Sequence, residues 1–266
     1  GQTKKYKTIS KDFWENADKS KVFSELIQEL GFPFVVKAPH QGSSIGVAIV
    51  KKRSLEEFSK GMSQCFFETK ISKKDWSKLT HRQKKNLMEK MSNLDEGIGF
   101  PVVIEDDTIY HPAELLKYLD KYLINQDFAI ISSTNAEDYV LIEEFISGQE
   151  FSVGVIQDDS GKAFALPPAE VYGEIQTFDF KSKYKSSVSK KRIPVETSNH
   201  NLDVIHEKIL KAFEITGMSV ISRIDGFITP EDEVLLHDPN TIPGMSPASF
   251  IFKQMAEIGF NITDAI

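Results

Sequence analysis

Short β-rich runs separated by tight polar turns recur through the second half of this 266-residue chain, and they limit its fold more than any other feature. Residues 139–143 and 150–156 flank a turn at Ser147-Gly148. Asp158-Asp159-Ser160-Gly161 is a hairpin turn leading into residues 163–166, and residues 220–228 and 233–237 pair across Thr229-Pro230-Glu231-Asp232. Strands joined this closely build antiparallel sheets. The first half repeats the theme with runs at 34–37 and 47–50 around a polar, glycine-bearing loop at 38–46. Helical periodicity marks residues 11–30, 55–67, 202–216 and 249–258, with apolar positions such as Val22, Phe23, Leu26, Ile27 and Leu30 on one stripe. The class is therefore α+β, with antiparallel sheets and segregated helices. Residues 172–192 read as a long polar loop.

Residues 67–138 change character. They are Lys-rich over 71–91, with a short strand expected at 101–104 and a proline-initiated helix at 112–123. Their aromatic and aliphatic content indicates an ordered insertion, expected to be peripheral to the chemistry. Hydrophobic residues make up 40% and charged residues 27%, a globular balance, and a net charge of -7 argues against an electrostatic nucleic-acid binder. No apolar run approaches the ~20 residues of a membrane span. The single cysteine, Cys65, lies beside Phe58, Met62 and Phe66 and is expected to be a buried thiol in a reducing, cytoplasmic compartment. The start at Gly1, without an initiator methionine, is the pattern expected of an excised fragment.

Three constellations carry chemistry. In the first, a strand delivers Lys37 into Ala38-Pro39-His40-Gln41-Gly42-Ser43-Ser44-Ile45-Gly46, whose backbone N–H groups and hydroxyls can cradle an anion. It lacks the Walker pattern, and alone it reads equally as a hairpin loop with a surface lysine. In the second, Glu143 and Glu150 flank the apolar connector Phe145-Ile146 and Gly148. Such a connector can offer backbone groups to an adenine edge and a carboxylate to ribose, although alone it reads more simply as a solvated acidic turn. In the third, strand alternation points Arg223 with Asp225, and Asp238 with Asn240. If the strands pair, one face presents a guanidinium and three hard oxygen donors suited to Mg²⁺.

Taken together and in order, these residues resemble the D-alanine–D-alanine ligases of the ATP-grasp superfamily. The matches are Lys37 with Gly42-Ser43-Ser44, Glu143 with Gly148 and Glu150, Lys183-Tyr184, Arg223 with Asp225, Asn240-Thr241 with Pro243-Gly244-Met245, and Ser249. Ala38 stands where the family has proline, and Asp238, followed by Pro239, stands where it has glutamate. The family's N-terminal substrate domain has no counterpart in these residues.

The resemblance implies an ATP-grasp fold whose two subdomains, with antiparallel sheets, clamp ATP. Residues 1–66 with 139–143 would form the central subdomain, and residues 144–266 the C-terminal one. It implies ligation of two D-amino acids through an acyl phosphate, for peptidoglycan synthesis. Lys37 would bind phosphate, with Ser43 in the same loop. Glu143 and the Phe145–Ile146 backbone would hold adenine, and Glu150 ribose. Lys183 and Tyr184 would close over the γ-phosphate. Asp225, Asp238 and Asn240 would hold two Mg²⁺ (or Mn²⁺) ions. Arg223 and the Gly244 N–H would stabilise the tetrahedral intermediate, and Ser249 would hold the second substrate's carboxylate. The implied partners are D-amino acids and ATP, with no nucleic acid and no membrane, and a homodimer is compatible with the family. Two alternatives stand beside this reading: another carboxylate–amine ligase with the same clamp, and an ATP-binding homologue that has lost ligation. A chain without the N-terminal domain is expected to bind ATP–Mg²⁺ weakly and to ligate poorly.

Overall fold

The computed structural model describes residues 4–42, 44–94, 97–172, 190–246 and 249–260. The chain divides into two compact units, Gly1–Phe145 and Ile146–Ile266. No helix among the described residues is long and apolar enough to cross a membrane.

The first unit holds two four-stranded antiparallel sheets. One is ordered β1 (Tyr6–Ser10), β8 (Tyr139–Glu144), β2 (Phe34–Lys37) and β3 (Val47–Val50). Strand alternation turns Phe34, Val36, Val140 and Ile142 inward, each with no exposed surface, against α2 (Lys19–Leu30) and α3 (Leu55–Phe66). Phe58 is the hub, stacked on Phe23 at 5.0 Å and met edge-on by Trp14 and Phe34. Full burial of one such side chain contributes about 1.5–3 kcal/mol. The expected helix over residues 11–30 is in fact two, α1 (Lys11–Asn16) and α2. The Asp18 carboxylate accepts from the N–H groups of Ser20 and Lys21 and so starts a new helix, a local signal that the apolar stripe conceals.

Residues 67–138 build the second sheet, ordered β4 (Glu68–Ser72), β7 (Phe128–Ser133), β5 (Val102–Ile104) and β6 (Asp107–Ile109). Helices α4 (Lys73–Lys78), α5 (His81–Met91) and α6 (Pro112–Asn125) supply the rest of its own core, which includes Trp76, Met88, Leu115 and Leu119. A Thr80–Gln83 capping box starts α5, and Pro112 starts α6. Ala38 and Ile45, from the loop between β2 and β3, pack into this core.

The second unit is one sheet ordered β12 (Lys190–Arg192), β11 (Ala169–Tyr172), β9 (Gln149–Gln157), β13 (Ile221–Ile228) and β14 (Val234–Asn240), with β10 (Ala163–Ala165) also paired to β9. Phe151, Val153, Val155, Ile224 and Ile228 face α7 (Asn199–Ile215), whose Ile205, Ile209 and Phe213 meet them. The other face carries α8 (Phe250–Glu257), anchored by Ile251, Phe252 and Met255 over Leu166. The hairpins expected at 158–161 and 229–232 are present. The strands on either side of Ser147-Gly148 are not a hairpin. β8 pairs with β1 and β2 in the first unit, while β9 pairs with β10, β11 and β13 in the second. The connector is the passage between units, and short-range turn chemistry does not reveal that.

Candidate functional site

In the first unit the site grows from strand register. Lys37 of β2 lies opposite Leu141 of β8, and Val35 lies opposite Glu143. Lys37 and Glu143 are therefore diagonal neighbours on the face turned away from α2 and α3. Lys37 Nζ sits 2.7 Å from Glu143 Oε2, with side-chain exposures of 21% and 15%, so the pair is sheltered but reachable. Tyr6 of β1 also pairs with Glu143, and two residues earlier on the same alternation Lys4 brings its Nζ to 3.7 Å from the same oxygen. Two ammonium groups thus share one carboxylate. Lys4 escaped the sequence reading because its role depends on a register between segments more than 130 residues apart.

The loop after Lys37 is closed by Ala38 N–H donating to the Gly46 carbonyl at 2.7 Å and Ile45 N–H donating to the Gly42 carbonyl at 3.0 Å. Ser44 (φ 61°) and Gly46 (φ 65°) are left-handed. A Cβ on Gly46 would lie 2.6 Å from the Ala38 Cβ and 2.9 Å from the Phe67 ring, so the close approach demands glycine there. Such a run of turned peptides directs N–H groups towards an anion. Ser43 lies outside the described residues, as do Lys183 and Tyr184. Phe145 and Ile146, at the passage between units, are half-buried. A Cβ on Gly148 would fall 2.5 Å from the Ile228 carbonyl, which sets the connector tight against the end of β13.

In the second unit the face carrying α8 holds the remaining candidates. Arg223 pairs with Gly154, Asp225 with Ser152 and Phe227 with Glu150, so Glu150, Arg223 and Asp225 share that face. The Arg223 guanidinium donates to both Asp225 oxygens, Nε at 3.0 Å and Nη2 at 3.1 Å. The Ser152 hydroxyl donates to Asp225 Oδ1 at 2.6 Å. Asp225 is 2% exposed, and this triple hydrogen bonding is what makes a buried carboxylate tolerable. Gln254 of α8 fixes the strand beneath: its amide donates to the carbonyls of Ser152 (2.7 Å) and Pro167 (2.8 Å) and accepts from Gly154 N–H (3.1 Å). Sequence reasoning missed Ser152 and Gln254. Ser152 was detectable, two residues after Glu150 on one strand, whereas Gln254 looks like any polar helix residue.

The expected alternation of Asp238 with Asn240 does not hold. The β13–β14 register shifts between Ile224 and Asp225, so that Asn240 lies opposite Arg223 and His237 lies opposite Asp225. Asp238 is the extra residue of this bulge, exposed and left-handed at φ 52°. The Asn240 amide nitrogen donates to the Asp238 carbonyl at 2.6 Å, which leaves Oδ1 as its atom available to a cation. Pro239, which cannot donate to a ladder, is the sequence signal for the irregularity. His237 stacks on Phe227 at 4.7 Å. Gly244 is exposed, and Ser249 stands at the N-terminal boundary of α8 without a side-chain capping bond, its hydroxyl 3.1 Å from that of Ser246.

The donor set suits Mg²⁺. Asp225 is a carboxylate already oriented by Arg223 and Ser152, and its oxygens are the hard kind that Mg²⁺ takes. The Asn240 Oδ1 adds a second hard oxygen beside it, whereas Asp238, the exposed extra residue of the bulge, is not aligned with that pair. Among the described residues no three His, Cys, Asp or Glu side chains are gathered as a metal cage. An ion here would complete its shell with ligand and water oxygens, as Mg²⁺ commonly does.

A model of the family described as "D-ala D-ala ligase C-terminus" matches residues 2–70 and 65–266. A D-alanine–D-alanine ligase from Bacillus velezensis is 25% identical over 194 residues, 73% of this chain and 52% of that protein. The one from Lawsonia intracellularis is 36% identical over 133 residues, 50% of this chain and 42% of that protein. The chain thus spans about half the length of these relatives. Among solved structures, D-alanyl-alanine synthetase A from Vibrio cholerae aligns over 99% of this chain and 57% of its own, with a TM-score of 0.60 at 18% identity. The VanG D-Ala:D-Ser ligase from Enterococcus faecalis aligns over 99% of this chain and 55% of its own, with the same score and identity. These likenesses bear out the expected α+β, ATP-grasp fold. With a family match that takes in nearly every residue, this chain belongs to the D-alanine–D-alanine ligase C-terminal family.

Proposed function

We propose that this chain is the ATP-handling part of an ATP-dependent carboxylate–amine ligase of the D-alanine–D-alanine type, serving peptidoglycan precursor synthesis in the cytoplasm. The observation that carries the reading is the Lys37–Glu143 pair at the mouth of the closed Ala38–Gly46 loop, supported by family membership. Lys37 and the loop N–H groups bind phosphate, a charge-assisted arrangement stronger than neutral hydrogen bonding. ATP displaces part of the Lys37–Glu143 contact, so Lys37 turns to phosphate and Glu143 accepts from the adenine amine, with Lys4 retaining the carboxylate's charge balance. Phe145 and Ile146 offer backbone groups to adenine, and Glu150 accepts from ribose.

Asp225, Asp238 and Asn240 would hold Mg²⁺, which would supply positive charge against the phosphates. The γ-phosphoryl group passes from ATP to a carboxylate oxygen of the first D-amino acid, releasing ADP. The neutral amine of the second attacks the acyl carbon, a C–N bond forms, the nitrogen gives up a proton to solvent, and phosphate leaves with the electron pair of the C–O bond. Arg223, oriented by its two hydrogen bonds to Asp225, and the Gly244 N–H offer positive charge to the oxyanion of that step. Ser249 binds the second carboxylate, with Ser43, Lys183 and Tyr184 in the phosphate-enclosing roles that the family assigns.

Asp238 favours a second reading. It is one carbon shorter than the family glutamate and sits in a bulge, which weakens the case for a bridging ligand and fits a homologue that binds ATP without ligating. Phosphate release from ATP by the full-length protein, with and without D-alanine, separates the two. D-alanine-dependent release with D-alanyl-D-alanine detected by mass is the expected result. ATP binding without release supports the second reading, and release dependent only on other amines points to a different ligase.

A further inference from the structure

Residues 67–138, expected from their sequence at the edge of the chemistry, are tied in the structure to the loop after Lys37. Glu137, at the exit of this insertion, is 4% exposed, and both its carboxylate oxygens serve His40 in the middle of the loop. His40 N–H donates to Oε1 at 3.1 Å, and its ring Nδ1 lies 2.7 Å from Oε2. The Glu137 backbone is itself set by its N–H donating to the Phe66 carbonyl and by Ser133 N–H donating to the Phe67 carbonyl. On the loop's other side, Ala38 and Ile45 are packed into the insertion's core beside Phe67, the residue whose ring also excludes a side chain at Gly46. The loop is therefore shaped by the insertion's core and by one buried carboxylate, not by the core under β2 and β3.

We propose that Glu137 is a positioning residue for the Ala38–Gly46 loop, so that the insertion braces the N–H groups that meet phosphate. A loop of turned peptides binds an anion well only if its N–H groups are already convergent, because ordering them on binding subtracts from affinity. A buried carboxylate taking two hydrogens from one residue fixes both the peptide and the ring of that residue. The nucleotide part of this inference rests on the phosphate-binding role proposed above, whereas the brace itself does not.

The test uses the 266-residue chain and three variants. His40→Leu keeps bulk but removes the ring donor. His40→Asn places an amide nitrogen near the position of Nδ1. Glu137→Gln removes one acceptor. Amide hydrogen exchange without nucleotide should show Ala38 and Ile45 exchanging about tenfold faster in His40→Leu and Glu137→Gln, with β8 unchanged and His40→Asn close to wild type. Calorimetry with ATP–Mg²⁺, at a temperature where every variant is folded, should show about tenfold weaker binding in the first two variants and recovery in His40→Asn. Wild-type exchange and affinity in His40→Leu would overturn the brace, as would equal losses in His40→Leu and His40→Asn. If the wild-type chain itself binds no ATP, the phosphate reading fails, and the exchange of Ala38 and Ile45 still decides the brace.

Discussion

At the scale of single residues, burial decides which groups can react. Lys37 and Glu143 keep about a fifth and a seventh of their side-chain surface and form the kind of sheltered, accessible pair that a ligand can rearrange. Cys65 is the opposite case. It is fully buried between α3 and the sheet, its S–H donates to the Val36 carbonyl, and desolvation pushes its thiol up to about 12. The expectation of an inert thiol rests on the same apolar neighbours, Phe58, Met62 and Phe66, that the sequence displays. The consequence has a definite sign. Below about pH 8.5 the thiol is neutral in both states, so its contribution is fully present. As pH rises towards 12 the unfolded chain loses the proton and the folded chain keeps it, so stability falls by about 1.4 kcal/mol per pH unit. Urea unfolding at pH 7.5 and pH 10 should show wild type losing about 2 kcal/mol more than Cys65→Ala, by the same linkage. Equal losses would contradict it.

At the scale of elements, local signals were readable and long-range ones were not. The hairpins around Asp158-Asp159-Ser160-Gly161 and Thr229–Asp232 announce themselves by turn chemistry, and Arg223 with Asp225 by alternation. The passage from β8 to β9 looks like another hairpin, because nothing within a few residues of Gly148 records that the two strands pair in different sheets. The β14 bulge was hidden in the same way. Pro239 hints at it, but only the pairing with β13 shows that His237 and Asn240 share the face that alternation gives to Asp238. Gln254 ties α8 to the sheet with three hydrogen bonds, donating to the Ser152 and Pro167 carbonyls and accepting from the Gly154 N–H, beside the apolar anchors Ile251, Phe252 and Met255. Gln254→Leu should therefore destabilise the chain by about 3 kcal/mol or more, because each orphaned buried group costs about 1–3 kcal/mol. Urea denaturation measures this, and a loss under about 1 kcal/mol would mean that the helix is held by Ile251, Phe252 and Met255 alone.

At the scale of the whole molecule, family membership was legible because its residues keep their order across more than 200 positions, from Lys37 to Ser249. The tie between residues 67–138 and the loop after Lys37 was not legible, because it is a contact between His40 and Glu137, 97 residues apart, with no periodic or motif signature. The central claim is that this chain binds ATP–Mg²⁺ through Lys37 and the loop it introduces. Calorimetric titration of ATP into the chain tests it most directly, with Mg²⁺ or with a chelator present, for wild type and Lys37→Ala. Removing a charge-assisted phosphate partner should cost about 1.5–3 kcal/mol, which is about a 10- to 150-fold loss of affinity. The account predicts one ATP site per chain, weakened by chelation and weakened to that extent by Lys37→Ala. Equal ATP affinity in wild type and Lys37→Ala, or no heat of binding in either, would contradict it.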